Sequence, residues 1–184
     1  MDDPTSFFVS DGDGFVGTAL SRGPWDEGSA NGGPVAALIG REVEQFDPDP
    51  ELVTVRFTIE LLRPVPLASL RIESTLLRPG KRVRLIGVSI IDSNGTEVAR
   101  ATALRVLRTP TDLARSAPAP EAGVPSRSPE ESGVGPSLIE GRVGITHAVE
   151  LRSVVGSAIE PGPATYWFRV HAPLVDDEPI TPLT

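Results

Sequence analysis

From Leu52 to Leu61 apolar and polar residues alternate. Val53, Val55, Phe57, Ile59 and Leu61 fall on one side, and Thr54, Arg56, Thr58 and Glu60 on the other. A period of two belongs to a strand with one buried face. Pro64 and Pro66 end it. A second strand is expected over Leu70 to Leu77, closed by Arg78-Pro79-Gly80-Lys81, whose central Pro-Gly suits a type II turn. A third runs from Val83 to Ile91, turns at Asp92-Ser93-Asn94-Gly95, and a fourth follows from Thr96 to Arg108. Near the start, Phe7 to Ser10 and Phe15 to Leu20 flank Asp11-Gly12-Asp13-Gly14 and read as a hairpin.

Between that hairpin and the long strands the pattern changes. Val35-Ala36-Ala37-Leu38-Ile39-Gly40 carries no charge, and Arg41 to Phe46 turns amphipathic. The segment predicts a helix over 34–46, wrapped on several sides at its start. Pro34 suits a first helical position, Gly33 the cap, and Asp47-Pro48-Asp49-Pro50 a firm stop. Val35, Leu38, Ile39, Val43 and Phe46 are the expected buried face, to be met by Val55, Phe57 and Ile59 of the sheet.

Residues 111–140 lose the alternation. Six prolines between 110 and 136 stand among Ala, Ser, Gly and Glu, a composition with little capacity to bury surface. Beyond them Thr146 to Val155 and Ala164 to Ala172 read as two further strands joined at Gly156 to Gly162, the second holding Tyr166, Trp167 and Phe168. Element order thus restarts, and an internal repeat is expected whose second copy is incomplete. The division is 1–110, a linker at 111–140, and 141–184. The other reading is that the last strands extend the first sheet at its edge.

Composition narrows the function. The 184 residues are 39% hydrophobic and 23% charged, enough for a packed core. No apolar run reaches the roughly 20 residues of a membrane span. The absence of cysteine removes disulfide and thiolate chemistry. A formal charge of −8 argues against nucleic acid or anionic lipid. Two histidines, His147 and His171, are too few for a histidine-built metal site. No cofactor or metal is expected, and the acidic opening Met1-Asp2-Asp3-Pro4, unlike a secretion signal, leads us to expect a cytoplasmic protein.

An antiparallel sheet wrapped around one helix is an α+β arrangement, the hotdog fold. The segments Gly23-Pro24-Trp25, Asn31-Gly32-Gly33-Pro34-Val35-Ala36-Ala37-Leu38, Glu60-Leu61-Leu62-Arg63-Pro64-Val65-Pro66, Gly80-Lys81-Arg82-Val83 and, later, Gly162-Pro163-Ala164, Trp167-Phe168-Arg169 and Pro173-Leu174-Val175 resemble the acyl-CoA thioesterase II-like (TesB-like) double-hotdog family. The resemblance covers nearly the whole chain outside the linker. It implies a first hotdog that is complete, a second that is incomplete, and metal-free hydrolysis of acyl-CoA to free acid and CoA. It also implies that the catalytic carboxylate and its partners belong to the second repeat, beyond Thr184, so no catalytic residue carries over. A homo-oligomer is expected, because a hairpin without its helix leaves an apolar face bare, with at least one ring of Tyr166-Trp167-Phe168 on it.

Hydrolysis of a thioester needs an activated water and a donor for the developing oxyanion. Asn31, Gly32 and Gly33 are the candidate substrate-binding residues, through backbone N–H groups, a fixed dipole and a polar side chain. The alternative is structural, two glycines admitting a buried helix close to the sheet. Asp26 and Glu27 are the nearest carboxylates, either a base or loop charges favouring a helix start. Arg78, Lys81, Arg82 and Arg84 form the dense basic patch. Arg82 and Arg84 are the candidates for a CoA phosphate, against a reading as a solvated hairpin tip. His147 and His171 are expected as plain strand residues. Two rival functions remain. One is a non-catalytic acyl-CoA or acyl-carrier binding module. The other is a hydratase or dehydratase, disfavoured because residues 23–46 hold no histidine.

Overall fold

The computed structural model describes residues 3–110, 125–135 and 143–180. The opening hairpin is β1 (Phe8–Asp11) and β2 (Gly14–Gly17), joined by a two-residue turn in which Gly12 takes a φ of +59°. The expected extension to Leu20 is overturned. Thr18 Oγ1 accepts the Leu20 N–H at 3.1 Å and starts a short 3₁₀ turn over Ala19–Ser21. This is the local competition that threonine offers to a strand.

Helix α1 spans Gly32–Phe46. It begins two residues before the expected start, because Asn31 is the cap and not Gly33. The Asn31 side chain accepts the Gly33 N–H at 2.9 Å from an extended backbone. Pro34 therefore sits at the third helical position, where its missing N–H is still one of the unsatisfied donors. Val35, Leu38 and Ile39 are wholly buried, and Val43 nearly so. Phe46, expected inside, is 42% exposed, since the last turn carries it past the edge of the packed face.

Four long strands follow: β3 (Leu52–Leu61), β4 (Ser69–Arg78), β5 (Val83–Asp92) and β6 (Glu97–Leu107). With the hairpin they form one antiparallel sheet of order β1-β2-β4-β5-β6-β3. The order places β3 at an edge beside β6, while β4, β5 and β6 are the expected run of neighbours. The turn after β5 behaves as its sequence demands. Asp92 Oδ1 accepts from the Asn94 and Thr96 N–H groups at 2.9 and 2.8 Å, and Gly95 has a φ of +79°. The type II turn at Pro79-Gly80 does not form, because Gly80 has no positive φ. Glycine is needed there for space: a Cβ would lie 2.5 Å from the Val83 carbonyl oxygen.

The face toward α1 is built from Ile86, Val88 and Ile90 of β5 and Ala99, Ala101 and Ala103 of β6, all within the buried core. On β3 the clean alternation fails at one point. The register skips between Thr54 and Arg56, a bulge that places an extra residue, Val55, on the strand. Val55 is 56% exposed, while Phe57 and Ile59 pack against the core as expected. The phase before the bulge is therefore reversed, with Thr54 inward and Val53 outward.

The later strands form a separate sheet, order β7-β8-β9, with β7 (Gly133–Val134), β8 (Val149–Val155) and β9 (Thr165–Val170). The hairpin of β8 and β9 is antiparallel as expected. The strand start at Thr146 is corrected: Ile145–His147 is a 3₁₀ turn. His147 and His171 consequently both lie outside the strands. Of the linker expectation, 111–124 and 136–140 fall outside the described residues. After β9 the chain returns to the first sheet. The Phe7 and Phe8 N–H groups donate to the Pro173 and Leu174 carbonyls at 3.1 and 2.8 Å, and Asp176 N–H donates to the Phe8 carbonyl at 3.2 Å. Glu178 closes this strap by a two-pronged ion pair with Arg41 of α1. That contact holds the Glu178 carboxyl below the usual range, against a smaller opposing effect of burial.

Candidate functional site

The N-terminal turn of α1 and the inner face of the β8–β9 hairpin enclose a hollow of about 410 Å³. Its floor is Asn31, Gly33, Pro34 and Ala37, with Phe7 beside them. Its roof is Ile145, Thr146, Val149, Leu151, Phe168 and Val170, and Leu174 of the returning strap closes one side. The roof follows from register. Val149 pairs with Val170 and Leu151 with Phe168, so these four share one face of the hairpin. Glu150, Arg152, Trp167 and Arg169 share the other. On that outer face Glu150 accepts from Arg152 Nε at 2.5 Å and lies 3.4 Å from His171 Nε2. The Arg152 bond is the first cause that holds the Glu150 carboxyl below the usual carboxylate range.

Arg22 joins floor to roof. Its Nε donates to the Glu27 carbonyl at 2.9 Å and its Nη1 to the Val143 carbonyl at 3.0 Å, while its own carbonyl accepts the Ile145 N–H at 3.2 Å. The loop that delivers Asn31 is further fixed by Asn31 N–H to the Ser21 carbonyl at 2.7 Å and Ala30 N–H to the Val65 carbonyl at 2.8 Å. The helix start is thus held by backbone contacts on both flanks.

No charged side chain lines this hollow among the described residues. An ionised group entering it would lose hydration without a counter-charge, so its chemistry selects an apolar ligand. The polar side chains of the hollow are Asn31 and Thr146, and Asn31 is the one at the helix start. The Asn31 Oδ1 is occupied by the Gly33 N–H, which leaves the Nδ2 amide as a donor that no described hydrogen bond uses. The Gly32 N–H, at the first helical position, is a second donor of the same kind. Of the three candidates Asn31 and Gly33 line the hollow, whereas Gly32 does not; a Cβ on Gly32 would lie 3.1 Å from Leu61 Cδ1 of β3. The glycine at 33 serves close approach: a Cβ there would lie 3.3 Å from Asn31 Oδ1 and 3.9 Å from Ile145 Cδ1.

The basic candidates are elsewhere. Arg84 and Arg82 stand near the other end of α1, about 22 Å from Asn31 along a 15-residue helix. Arg84 is committed to structure. Its Nη1 pairs with Asp47, its Nη2 with Asp49 at 3.1 Å, and its Nε donates to the Gly80 carbonyl at 3.0 Å. Arg82 is exposed beside Lys81 at the hairpin tip. Asp26 does not line the hollow; its Oδ2 accepts from Ser29 Oγ at 2.5 Å.

Two features were not anticipated from the sequence. One is the roof, whose signal was present in the alternation of Val149 and Leu151 against Glu150 and Arg152. The other is Arg105, 6% exposed, which donates through Nη2 to the Asp49 and Leu52 carbonyls at 3.0 and 2.9 Å and lies 3.0 Å from Asp47 Oδ2 through Nη1. It follows Ala99, Ala101 and Ala103 on the inward face of β6 and ends that row with a charge placed at the helix C-terminus. Among the described residues no group of three metal-ligating side chains is found, and no helix is long and apolar enough to cross a membrane.

Residues 21–106 match the family model of the acyl-CoA thioesterase N-terminal domain. No curated protein matches the chain. Solved structures share its fold at low identity. A hot-dog-fold protein of unknown function from Alicyclobacillus acidocaldarius superposes with a TM-score of 0.64 at 18% identity, covering 89% of this chain and 60% of the other. A candidate thioesterase from Novosphingobium aromaticivorans gives 0.68 at 20% identity, with 90% and 65% covered. A candidate thioesterase II from Thermobifida fusca gives 0.56 at 17%, with 81% and 52% covered. The chain therefore spans about half to two thirds of the length of these proteins. Its fold is the hotdog, one helix on a six-stranded antiparallel sheet, followed by a second sheet of three strands.

Proposed function

From residues 21–106, which carry the acyl-CoA thioesterase N-terminal domain, we propose that the protein hydrolyses acyl-CoA thioesters to a free acid and CoA. The observation that carries the reading is the uncharged hollow roofed by Val149, Leu151, Phe168 and Val170 and opening on the helix start. An acyl chain fills it, and the thioester carbonyl comes to rest at the mouth. There Asn31 Nδ2 donates to the oxygen as it gains charge, aided by the positive end of the helix dipole. The attack of water on the carbonyl carbon expels the CoA thiolate.

Water activation calls for a carboxylate or an amide network, and no carboxylate lines the hollow among the described residues. The base is assigned to residues outside it. Arg82 with Lys81 remains the proposed contact for a CoA phosphate, and Arg84 is set aside as structural. The lack of a lining carboxylate favours one second reading, a module that binds acyl-CoA without turning it over. A hydratase is not favoured, since neither His147 nor His171 lines the hollow. The deciding experiment is thiol release from acyl-CoA by the purified protein. Turnover with unaltered rate in the presence of a chelator supports hydrolysis by protein groups alone. Tight binding of acyl-CoA without thiol release supports the binding module.

A further inference from the structure

A second hollow, of about 270 Å³, runs along α1 on the side of β3. It is lined by Gly40, Val43, Thr54 and Phe57, and it shares Gly33 and Ala37 with the first hollow. No charged side chain lines it among the described residues. The two hollows therefore meet over one short stretch of helix whose side chains are a hydrogen and a methyl. From Gly33 to Val43 that surface extends about 15 Å along the helix axis. The bulge at Val55 matters here: by reversing the phase of β3 it turns Thr54 inward beside Phe57 to form the far wall.

We propose that Ala37 sets the length of acyl chain the protein accepts. Chains that fit the first hollow end against it. Longer chains cross Ala37 and lie in the second hollow against Val43 and Phe57. The proposal rests on the acyl-CoA reading above and deepens it. The occupant follows from adjacency: the second hollow adjoins the first at Gly33 and Ala37, common to both, and its lining offers an alkyl chain burial and a charged group nothing. Each methylene buried there raises affinity about fourfold. A bulky side chain at 37 abolishes that gain while leaving the mouth at Asn31 in place.

The test uses S-hexyl-, S-dodecyl- and S-hexadecyl-CoA, thioethers that cannot be hydrolysed, bound to the full protein by calorimetry at submicellar concentration. The native protein is expected to bind the hexadecyl ligand on the order of a hundredfold more tightly than the dodecyl one. In Ala37→Phe that step is expected to fall below about threefold. Ala37→Val, whose smaller change is tolerated more readily, is expected to give an intermediate step, and it decides the matter should the Phe variant fail to fold. An unchanged step in a folded variant overturns the proposal. So does a native protein indifferent to chain length beyond hexyl. A change in oligomeric state with the step intact also overturns it, showing that a second copy covers the hollow. Thiol release from hexanoyl-CoA, measured alongside, separates the two claims. Release with an unaltered chain-length step retains the hydrolase and removes the gate, whereas a lost step without release retains the gate and removes the hydrolase. Absence of both binding and release overturns both.

Discussion

Asn31 carries two roles on one amide, and replacing it by Ala and by Asp separates them. The oxygen caps α1 through the Gly33 N–H; the nitrogen is the proposed donor to the oxyanion. Asn31→Ala deletes both. The cap loss costs about 1 kcal/mol, which in a domain of this size lowers the melting temperature by roughly 2–4 °C. Asn31→Asp keeps an accepting oxygen in the same place and adds a negative charge at the positive end of the helix, so stability is expected to be equal to or above that of the native protein. The donor, however, is gone, and its replacement repels the charge that develops on the carbonyl. Loss of one oxyanion donor lowers kcat by about 10²–10³. Thermal melting therefore separates the two variants while thiol release does not: Asp stable and inactive, Ala destabilised and inactive. An Asp variant as active as the native protein refutes the donor role and leaves Asn31 a cap alone. A variant whose activity tracks its melting temperature does the same.

Other predictions concern the frame. Arg105→Met removes one of the two guanidinium partners of Asp47, leaving Arg84, and strips the Asp49 and Leu52 carbonyls of their donor; carbonyls left unsatisfied cost about 1–3 kcal/mol, read by chemical denaturation, and an unchanged stability contradicts the account. Glu178→Gln tests the strap. Because the Glu178 pKa is lowered in the folded state from 4.5, its contribution is present above about pH 4.5 and is lost as pH falls through the folded value. Native and variant melting temperatures should therefore differ at pH 7 and converge in acid; a gap constant with pH refutes the ion pair. Arg82→Ala is expected to weaken CoA binding severalfold and reduce its salt dependence with little change in stability, whereas Arg84→Ala lowers stability. The reverse pattern in calorimetry and melting removes Arg82 from the phosphate site.

The long strands were legible because each has one solvated face, and a period of two then marks it directly. The helix was legible for the same reason from its uncharged start. Legibility failed where a single residue changed the phase. Nothing in Leu52 to Leu61 announces the bulge, since Val55 is as apolar as its neighbours, and it is the pairing with β6 that expels it. The cap was misplaced because Gly33-Pro34 is a plausible helix start. Asn31 wins because its side chain reaches the Gly33 N–H. At the site, local sequence pointed to Asn31, Gly32 and Gly33, of which Asn31 and Gly33 line the hollow. It could not assign Arg84, whose partners Asp47 and Asp49 are 35 or more positions away in the chain, nor pair the roof of β8 and β9 with a helix more than 100 residues earlier.

The central claim is that the acyl chain lies between the N-terminal turn of α1 and the β8–β9 hairpin. A fatty acyl-CoA thioether bearing a diazirine on the alkyl chain, photolysed on the full protein and mapped by peptide mass spectrometry, tests it directly. The account predicts label within 33–37, 145–151 and 168–174, displaced by excess S-dodecyl-CoA. Displaceable label confined to the outer faces of either sheet, or absent from both flanks of the hollow, would contradict it.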